Sequence, residues 1–246
     1  MILYVNGCSH SDDIWQKEDK EDNGLFVWSY CFFKNFSSNF DYYRIIGDEF
    51  YVRPFIINNN ESKVKINKSL RIDTDTLIND SVSGSGNDRI FHTTLESLTK
   101  LIESGNKPDL VVLQWTGVNR RESCDSEGTP IFITPYDNID YHLKFEPMGT
   151  THTAHYMFIL QEFLKKNNID YRFFTYMGVD KVIKTLSVYK KIDFEKFVDF
   201  GNETIYNGLI GLIKERGYNR DEQGHPNEKG CKFISDKIYH NILNLE

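Results

Sequence analysis

Three stretches of the sequence have the composition of buried strands, and each ends in a short polar turn that contains glycine. They are Ile2 to Val5 before Gly7-Cys8-Ser9, Leu77 to Val82 before Gly84-Ser-Gly-Asn87, and Leu110 to Trp115 before Gly117-Val-Asn119. Parallel strands place their carboxyl ends at one edge of a sheet, where open α/β folds bind their ligands. The pattern therefore predicts a parallel sheet with three polar turns converging at one edge.

Helical patterns alternate with these strands, which indicates an α/β fold with helices on both faces of the sheet. The clearest helix is Asp88 to Ser104, which has apolar residues on one face and Gly105 as its stop. Further helices are predicted at 25–40, 151–166, 179–192, 202–215 and 227–243, and a further strand at 169–177. The phenylalanine content of 25–40 is also compatible with a strand. We expect one domain over residues 1–246, with an inserted hairpin or small subdomain at about 41–76 and a loop-like region at 123–150.

The composition does not favour a nucleic acid or a membrane as a partner. The net charge of −7 gives no electrostatic reason to expect nucleic acid or an anionic membrane surface. No apolar run is long enough to span a bilayer, and the sequence enters a strand at Ile2 without a basic signal region, so we expect a cytoplasmic protein. The cysteines show no CxxC spacing, so neither a zinc ribbon nor a disulfide framework is predicted.

A fourth polar segment, Asp221-Glu-Gln-Gly-His225, directly precedes the last predicted helix. With the three turns it supplies every group that acyl transfer needs. Ser9 would attack the carbonyl, His225 would take its proton, a carboxylate would orient the imidazole, and amides of the turns would hold the oxyanion.

The four segments, in this order, resemble the sequence blocks of the SGNH (GDSL-like) hydrolases, and in particular divergent phage members whose first block reads Gly-Cys-Ser. Ser9 matches the nucleophile and first oxyanion donor, Gly84 and Asn119 match the other two donors, and His225 matches the general base. Trp28 resembles an aromatic residue of the helix after the first block. The resemblance implies a three-layer α/β/α sandwich with a mainly parallel, flavodoxin-like sheet.

For function, the resemblance implies a serine esterase that acts on small esters, such as O-acyl groups of carbohydrate, without cofactor or metal. It also implies that the chain is phage-encoded or virion-associated. The alternative class is a catalytically inactive binding or virion-associated module that keeps the fold. The sequence does not determine the oligomeric state.

The sequence departs from the family pattern at three places. Cys8 replaces the usual Asp of the first block, and Arg120 follows Asn119 where many members carry Asp. The family spacing between carboxylate and histidine is three residues, which points to Glu222; Asp221 has the usual residue type but lies one position further away. We therefore expect Glu222 to orient His225 and Asp221 to be exposed.

Other interpretations of the same residues remain open. Ser9, Asn87 and Asn119 are residue types that cap helices and turns, and His225 is also compatible with an ordinary surface position. Cys8 is an alternative thiolate nucleophile, although this would leave Ser9 and His225 without roles. Two groups invite comparison with metal sites, but neither has a complete ligand set at a diagnostic spacing: His152 with His155, and His10 with Asp12 and Asp13.

Overall fold

The computed structural model describes most of the chain but not every residue. The described residues are 1–8, 28–38, 40–46, 49–53, 62–65, 72–124, 130–133, 139–179, 181–201, 203–222 and 224–243. Ser9, His10, Asp12 and Asp13 therefore lie outside the described residues.

The described strands form one large sheet and one separate hairpin. They are β1 (Ile2–Asn6), β2 (Asp41–Ile46), β3 (Glu49–Arg53), β4 (Ser62–Lys65), β5 (Thr76–Asn79), β6 (Leu110–Trp115), β7 (Arg121–Cys124), β8 (Pro130–Ile133) and β9 (Asp170–Thr175). The large sheet has the order β4-β3-β2-β5-β1-β6-β9, in which the five strands from β2 to β9 are parallel. β3 and β4 extend it antiparallel, and β7 pairs with β8.

β1 lies between β5 and β6, and Leu3 is in register with Leu77 on one side and Leu110 on the other. The chain leaves β1 toward the β2–β5 side, and the connection after β5 crosses to β6 on the opposite side. In α/β sheets a change of direction of this kind marks the place where ligands bind, which here is the carboxyl end of β1.

The helices cover both faces of the sheet. They are α1 (Trp28–Phe33), α2 (Asn87–Glu103), α3 (Ile139–Lys166), α4 (Thr204–Asn207), α5 (Leu209–Glu215) and α6 (Glu228–Leu243), with 3-10 turns at Lys181–Thr185, Ser187–Lys191 and Phe194–Lys196. None of the helices within the described residues is long and apolar enough to cross a membrane.

Two apolar clusters separate these helices into layers. Successive residues of β6 alternate between the clusters, because neighbouring side chains of a strand point to opposite faces. Val111 and Leu113 pack with α2 and α3, whereas Val112 packs with α1, α5 and α6. The architecture is a three-layer α/β/α fold around a mainly parallel sheet.

The region 123–150 is not the loop that the sequence pattern predicts. Within its described part, β7 and β8 form a hairpin, and α3 begins at Ile139 rather than at Thr151. The helix continues through Pro147, a residue type that usually marks a helix boundary because it has no N–H. Within 41–76, β2 pairs antiparallel with β3 and also parallel with β5 of the main sheet.

Two predicted helices near the C-terminal end of the chain are also shorter than expected. The segment 202–215 is divided at Gly208 into α4 and α5, and the segment 179–192 forms 3-10 turns instead of an α-helix. Gly208 has a φ of 78°, which lies outside the helical region and interrupts the hydrogen-bond ladder.

Candidate active site

The turn after β1 is fixed in place by buried polar contacts. Asn6 accepts a hydrogen bond from the Gly7 amide at 2.7 Å and donates to Thr93 and Thr94 of α2 at 2.8 and 2.9 Å. The Cys8 side chain is fully buried, and Gln114 Nε2 lies 3.0 Å from its sulfur. Cys8 therefore anchors the turn in the core, an arrangement that does not favour the alternative of a thiolate nucleophile.

The loop after β5 lies beside this turn. Val82 donates a backbone hydrogen bond to the Gly7 carbonyl at 3.3 Å, and Ser85 closes a turn onto Val82 at 3.2 Å. Between them Gly84 adopts a φ of 82°, a left-handed conformation that favours glycine. The Gly84 amide donates no hydrogen bond to any described residue.

Asn87 joins the second turn to the third. It accepts from the Thr116 amide at 2.8 Å, and its Nδ2 lies 3.0 Å from both the Thr116 carbonyl and Thr153 Oγ1 of α3. The sequence-based interpretation of Asn87 as the helix cap is wrong, because Gly86 occupies the cap position and Asn87 is the first helical residue. Asn87 is a buried clamp that connects the start of α2, the end of β6 and α3.

The turn after β6 is enclosed by two close backbone approaches. A side chain at Gly86 would place its Cβ 2.6 Å from the Arg120 carbonyl, and one at Gly149 of α3 would collide with the Val118 carbonyl. Such packing leaves the turn little freedom to move. Asn119 is half-buried on it, and within the described part of the chain its side-chain amide has no hydrogen-bond partner.

His225 lies in the loop that precedes α6 and is only 7% exposed. Its Nδ1 is 2.7 Å from Asp221 Oδ2, and its backbone amide donates to Asp221 Oδ1 at 3.1 Å. The Arg220 amide donates to the His225 carbonyl at 2.7 Å, which closes the loop. An imidazole held by a carboxylate at Nδ1 has one fixed tautomer, and Nε2 is then the nitrogen that would exchange a proton with a nucleophile.

The carboxylate at this position corrects the expectation from sequence spacing. We expected Glu222 to orient the ring and Asp221 to be exposed, but Asp221 makes both contacts and Glu222 is exposed. Gly224 has a φ of 87°, and this turn of the backbone brings the residue four positions before His225 onto the ring. Partial burial opposes ionisation of Asp221, but the His225 hydrogen bonds and the neighbouring charges of His225 and Arg220 outweigh it and lower the pKa of the carboxyl.

The end of β9 connects the His225 loop with the Asn119 turn. The Tyr176 hydroxyl donates to the Gly224 carbonyl at 2.6 Å, and the sulfur of the next residue, Met177, lies 3.5 Å from Thr116 Oγ1. Thus Gly84 follows β5, Asn119 follows β6, and the His225 loop is bonded to the residue after β9, so all three lie at the sheet edge where β1 leads into Ser9. The position of the Ser9 hydroxyl itself lies outside the described residues.

The histidine pair on α3 shows no feature of a metal site. His152 and His155 are exposed, and His155 Nδ1 is 2.7 Å from the Thr151 carbonyl of its own helix. Among the described residues, no group of three His, Cys, Asp or Glu side chains is arranged to hold a metal ion. The second candidate group, at His10, Asp12 and Asp13, is outside the described residues.

Comparisons with known proteins give limited matches. A family model described as a family of unknown function (DUF6071) matches residues 65–148. A comparison with curated proteins finds no match. Among solved structures, the chain is similar to the crystal structure of an acetyl xylan esterase, AlAXEase, with 13% identity and a TM-score of 0.47 over 98% of this chain and 100% of that chain. A similarity of this size carries no argument about the activity of this chain.

Proposed function

We propose that the chain is an SGNH-type serine esterase, with Ser9 as nucleophile and His225 as general base. The observation that carries the proposal is the Asp221–His225 pair, held at 2.7 Å in a loop beside the carboxyl edge of the parallel sheet. This contact between a carboxylate and a buried imidazole supports the proposal because it matches the arrangement of the base and the acid in a serine triad. The first member would stand directly after Cys8, at the end of the central strand.

In this mechanism Ser9 attacks the ester carbonyl while its proton passes to Nε2 of His225. Asp221 stabilises the imidazolium that forms, and this imidazolium then protonates the leaving alcohol. Water, activated by the same imidazole, releases the acyl group from Ser9 in the second half of the reaction.

The oxyanion of each tetrahedral intermediate would be bound by the Ser9 and Gly84 amides and by the Asn119 side chain. The proposal is supported by two features of these donors: the Gly84 amide and the Asn119 amide make no hydrogen bond with a described residue, and both belong to turns fixed by backbone packing. Donors that are already oriented need no rearrangement when negative charge develops on the oxygen. Such preorganised electrostatic stabilisation is usually the largest contribution to the rate enhancement. Acyl esters such as O-acetylated carbohydrates are the proposed substrates.

Hydrolysis of 4-nitrophenyl acetate by single variants tests the proposal. Ser9→Ala and His225→Ala should each reduce kcat by about a thousandfold or more, since members of a triad act as one unit. His240→Ala on α6 is the matched control for loss of an imidazole and should retain wild-type activity. If Ser9→Ala hydrolyses the ester as fast as the wild type does, the proposal is wrong; a folded wild-type protein without esterase activity would favour the binding module.

A further inference from the structure

The side chain of Arg120 carries a buried donor without an acceptor. Its Nε has no solvent exposure, and within the described structure no hydrogen-bond partner or ion-pair partner of the guanidinium is present. Buried polar groups in folded proteins nearly always have a partner, and a charged donor without one destabilises the fold. A bound ligand is one source of the missing acceptor.

Arg120 is also placed where a ligand is expected. It directly follows Asn119 in the turn after β6, and its carbonyl packs against Gly86 in the loop that carries Gly84. The Arg120 amide closes the turn onto the Gly117 carbonyl at 3.1 Å. The arginine is therefore attached to the same fixed backbone as two of the proposed oxyanion donors.

Asp88 is the described carboxylate that the structure places beside the Arg120 backbone, across Gly86, and its Oδ1 accepts a hydrogen bond from the Arg89 amide at 2.9 Å. A guanidinium presents several N–H groups in a planar fork, and the acceptor that best matches this geometry is a carboxylate. The partner that fits is then a carboxylate brought by the substrate.

We infer that Arg120 is a specificity-determining residue that binds a carboxylate on the alcohol part of the ester, so that the preferred substrates are acyl esters of acidic alcohols such as acidic sugars. This inference rests on the proposed function, because it assigns the substrate class of the same site. The Asn119 amide would hold the oxyanion while Arg120 holds the carboxylate of the leaving alcohol.

The test compares two aryl acetates that differ in charge, 4-acetoxybenzoate and the neutral 4-acetoxybenzamide. The wild type should prefer the anionic ester, and Arg120→Gln should lower kcat/KM for it by about tenfold or more, as expected for loss of a charge-assisted hydrogen bond. The same substitution should change kcat/KM for the neutral ester less than about twofold. Arg120→Lys keeps the positive charge but lacks the planar set of guanidinium N–H donors, so it should recover part of the preference for the anionic ester.

Arg216→Gln is the matched control, because the Arg216 guanidinium packs over the Phe233 ring at 4.7 Å and takes no part in the candidate site. It should leave the preference for the anionic ester unchanged. Equal loss on both esters with Arg120→Gln would show a structural role, and no loss on either would show no role; each result overturns the inference.

A binding measurement separates this inference from the proposed function. Sodium benzoate, compared with benzamide at equal ionic strength, should raise the Tm of the wild type and of Ser9→Ala but not that of Arg120→Gln. If the wild type does not hydrolyse esters, or if Ser9→Ala hydrolyses them as fast as the wild type, the proposed function fails, but the benzoate effect still reports on Arg120. A benzoate effect of the same size in Arg120→Gln overturns the inference whatever the activity.

Discussion

Asp221 contacts His225 at two points, the ring and the backbone amide, and this double contact distinguishes it from its neighbour Glu222. The carboxyl of Glu222 is exposed, and its backbone carbonyl accepts a hydrogen bond from Lys214 Nζ at 2.7 Å. Residue type thus predicted the correct partner of the histidine and residue spacing did not. Spacing failed because it assumes an uninterrupted turn, whereas Gly224 redirects the backbone between the two residues.

Exchange of each carboxylate for its amide tests this assignment. Asp221→Asn should lower kcat for ester hydrolysis by about a hundredfold or more, because the amide favours the wrong imidazole tautomer and does not stabilise the imidazolium. Glu222→Gln is the matched control and should stay within about twofold of the wild type. A loss confined to Glu222→Gln would restore the spacing argument, and no loss in either variant would indicate a Ser–His dyad.

The role of the Asn119 side-chain amide is tested by a second single substitution. If its amide stabilises the oxyanion, Asn119→Ala should lower kcat by about ten- to a thousandfold with little change in KM. The competing interpretation, a turn cap, predicts loss of stability instead, so the Tm of the variant should be measured with its kinetics. A large fall in Tm with unchanged kcat per folded molecule would contradict the oxyanion role.

At the scale of secondary structure elements, α3 is the element that the sequence predicted least well. Its N-terminal half lacks a clear apolar stripe and contains Pro147, so the pattern indicated a loop up to residue 150. A tertiary contact supports the helix N-terminal of its predicted start, because Gly149 packs closely on the turn after β6. Local sequence does not reveal a contact with a distant turn.

Gly149→Ala tests whether this contact supports the site. The added methyl group would collide with the Val118 carbonyl, so either α3 or the turn must move, and we expect a loss of about 1–3 kcal/mol in unfolding free energy. Displacement of Asn119 should also lower kcat by about tenfold or more. Gly211→Ala in α5 is the control, because no atom lies within 4 Å of the new Cβ and alanine favours the helix. Unchanged stability and kcat in Gly149→Ala would contradict the close packing.

At the scale of the whole molecule, one buried carboxylate affects the pH dependence of stability. Asp80 accepts hydrogen bonds from Tyr4 at 2.6 Å and Ser97 at 2.8 Å. Burial raises the pKa of its carboxyl from 3.8 to about 6, although the two hydrogen bonds partly oppose this. The folded state therefore binds the proton of Asp80 more tightly than the unfolded chain does. The unfolding free energy falls progressively as pH rises from about 4 to 6, and above pH 6 the whole reduction caused by ionised Asp80 is present.

Asp80→Asn removes this titration and keeps an oxygen that accepts both hydrogen bonds. The unfolding free energy of the variant relative to the wild type should increase by about 2 kcal/mol between pH 4.5 and 7.5, which is the part of the effect of the raised pKa that falls within this pH range. Urea unfolding of both proteins at several pH values measures the difference and cancels the contribution of other groups, including Asp221. A difference that does not change with pH would contradict the assignment.

The core of the fold was predictable because its strands are buried on both faces. The run from Leu110 to Trp115 agrees with β6 residue for residue, and β1 and α2 agree with their predictions to within one residue. The antiparallel extension and the 3-10 turns were less predictable because their patterns are short. The clamp at Asn87 was not predictable, because an asparagine that caps a helix and one that binds a neighbouring strand end look the same in the sequence.

The central claim is that Ser9 is a nucleophile activated by His225, and covalent labelling measures this most directly. The native protein is treated with a fluorophosphonate probe, and the modified residue is located by mass spectrometry of its peptides. We predict one adduct, on Ser9, that is absent from Ser9→Ala and strongly reduced in His225→Ala. An adduct on Cys8 or another residue, or no adduct on folded wild-type protein, would contradict the account.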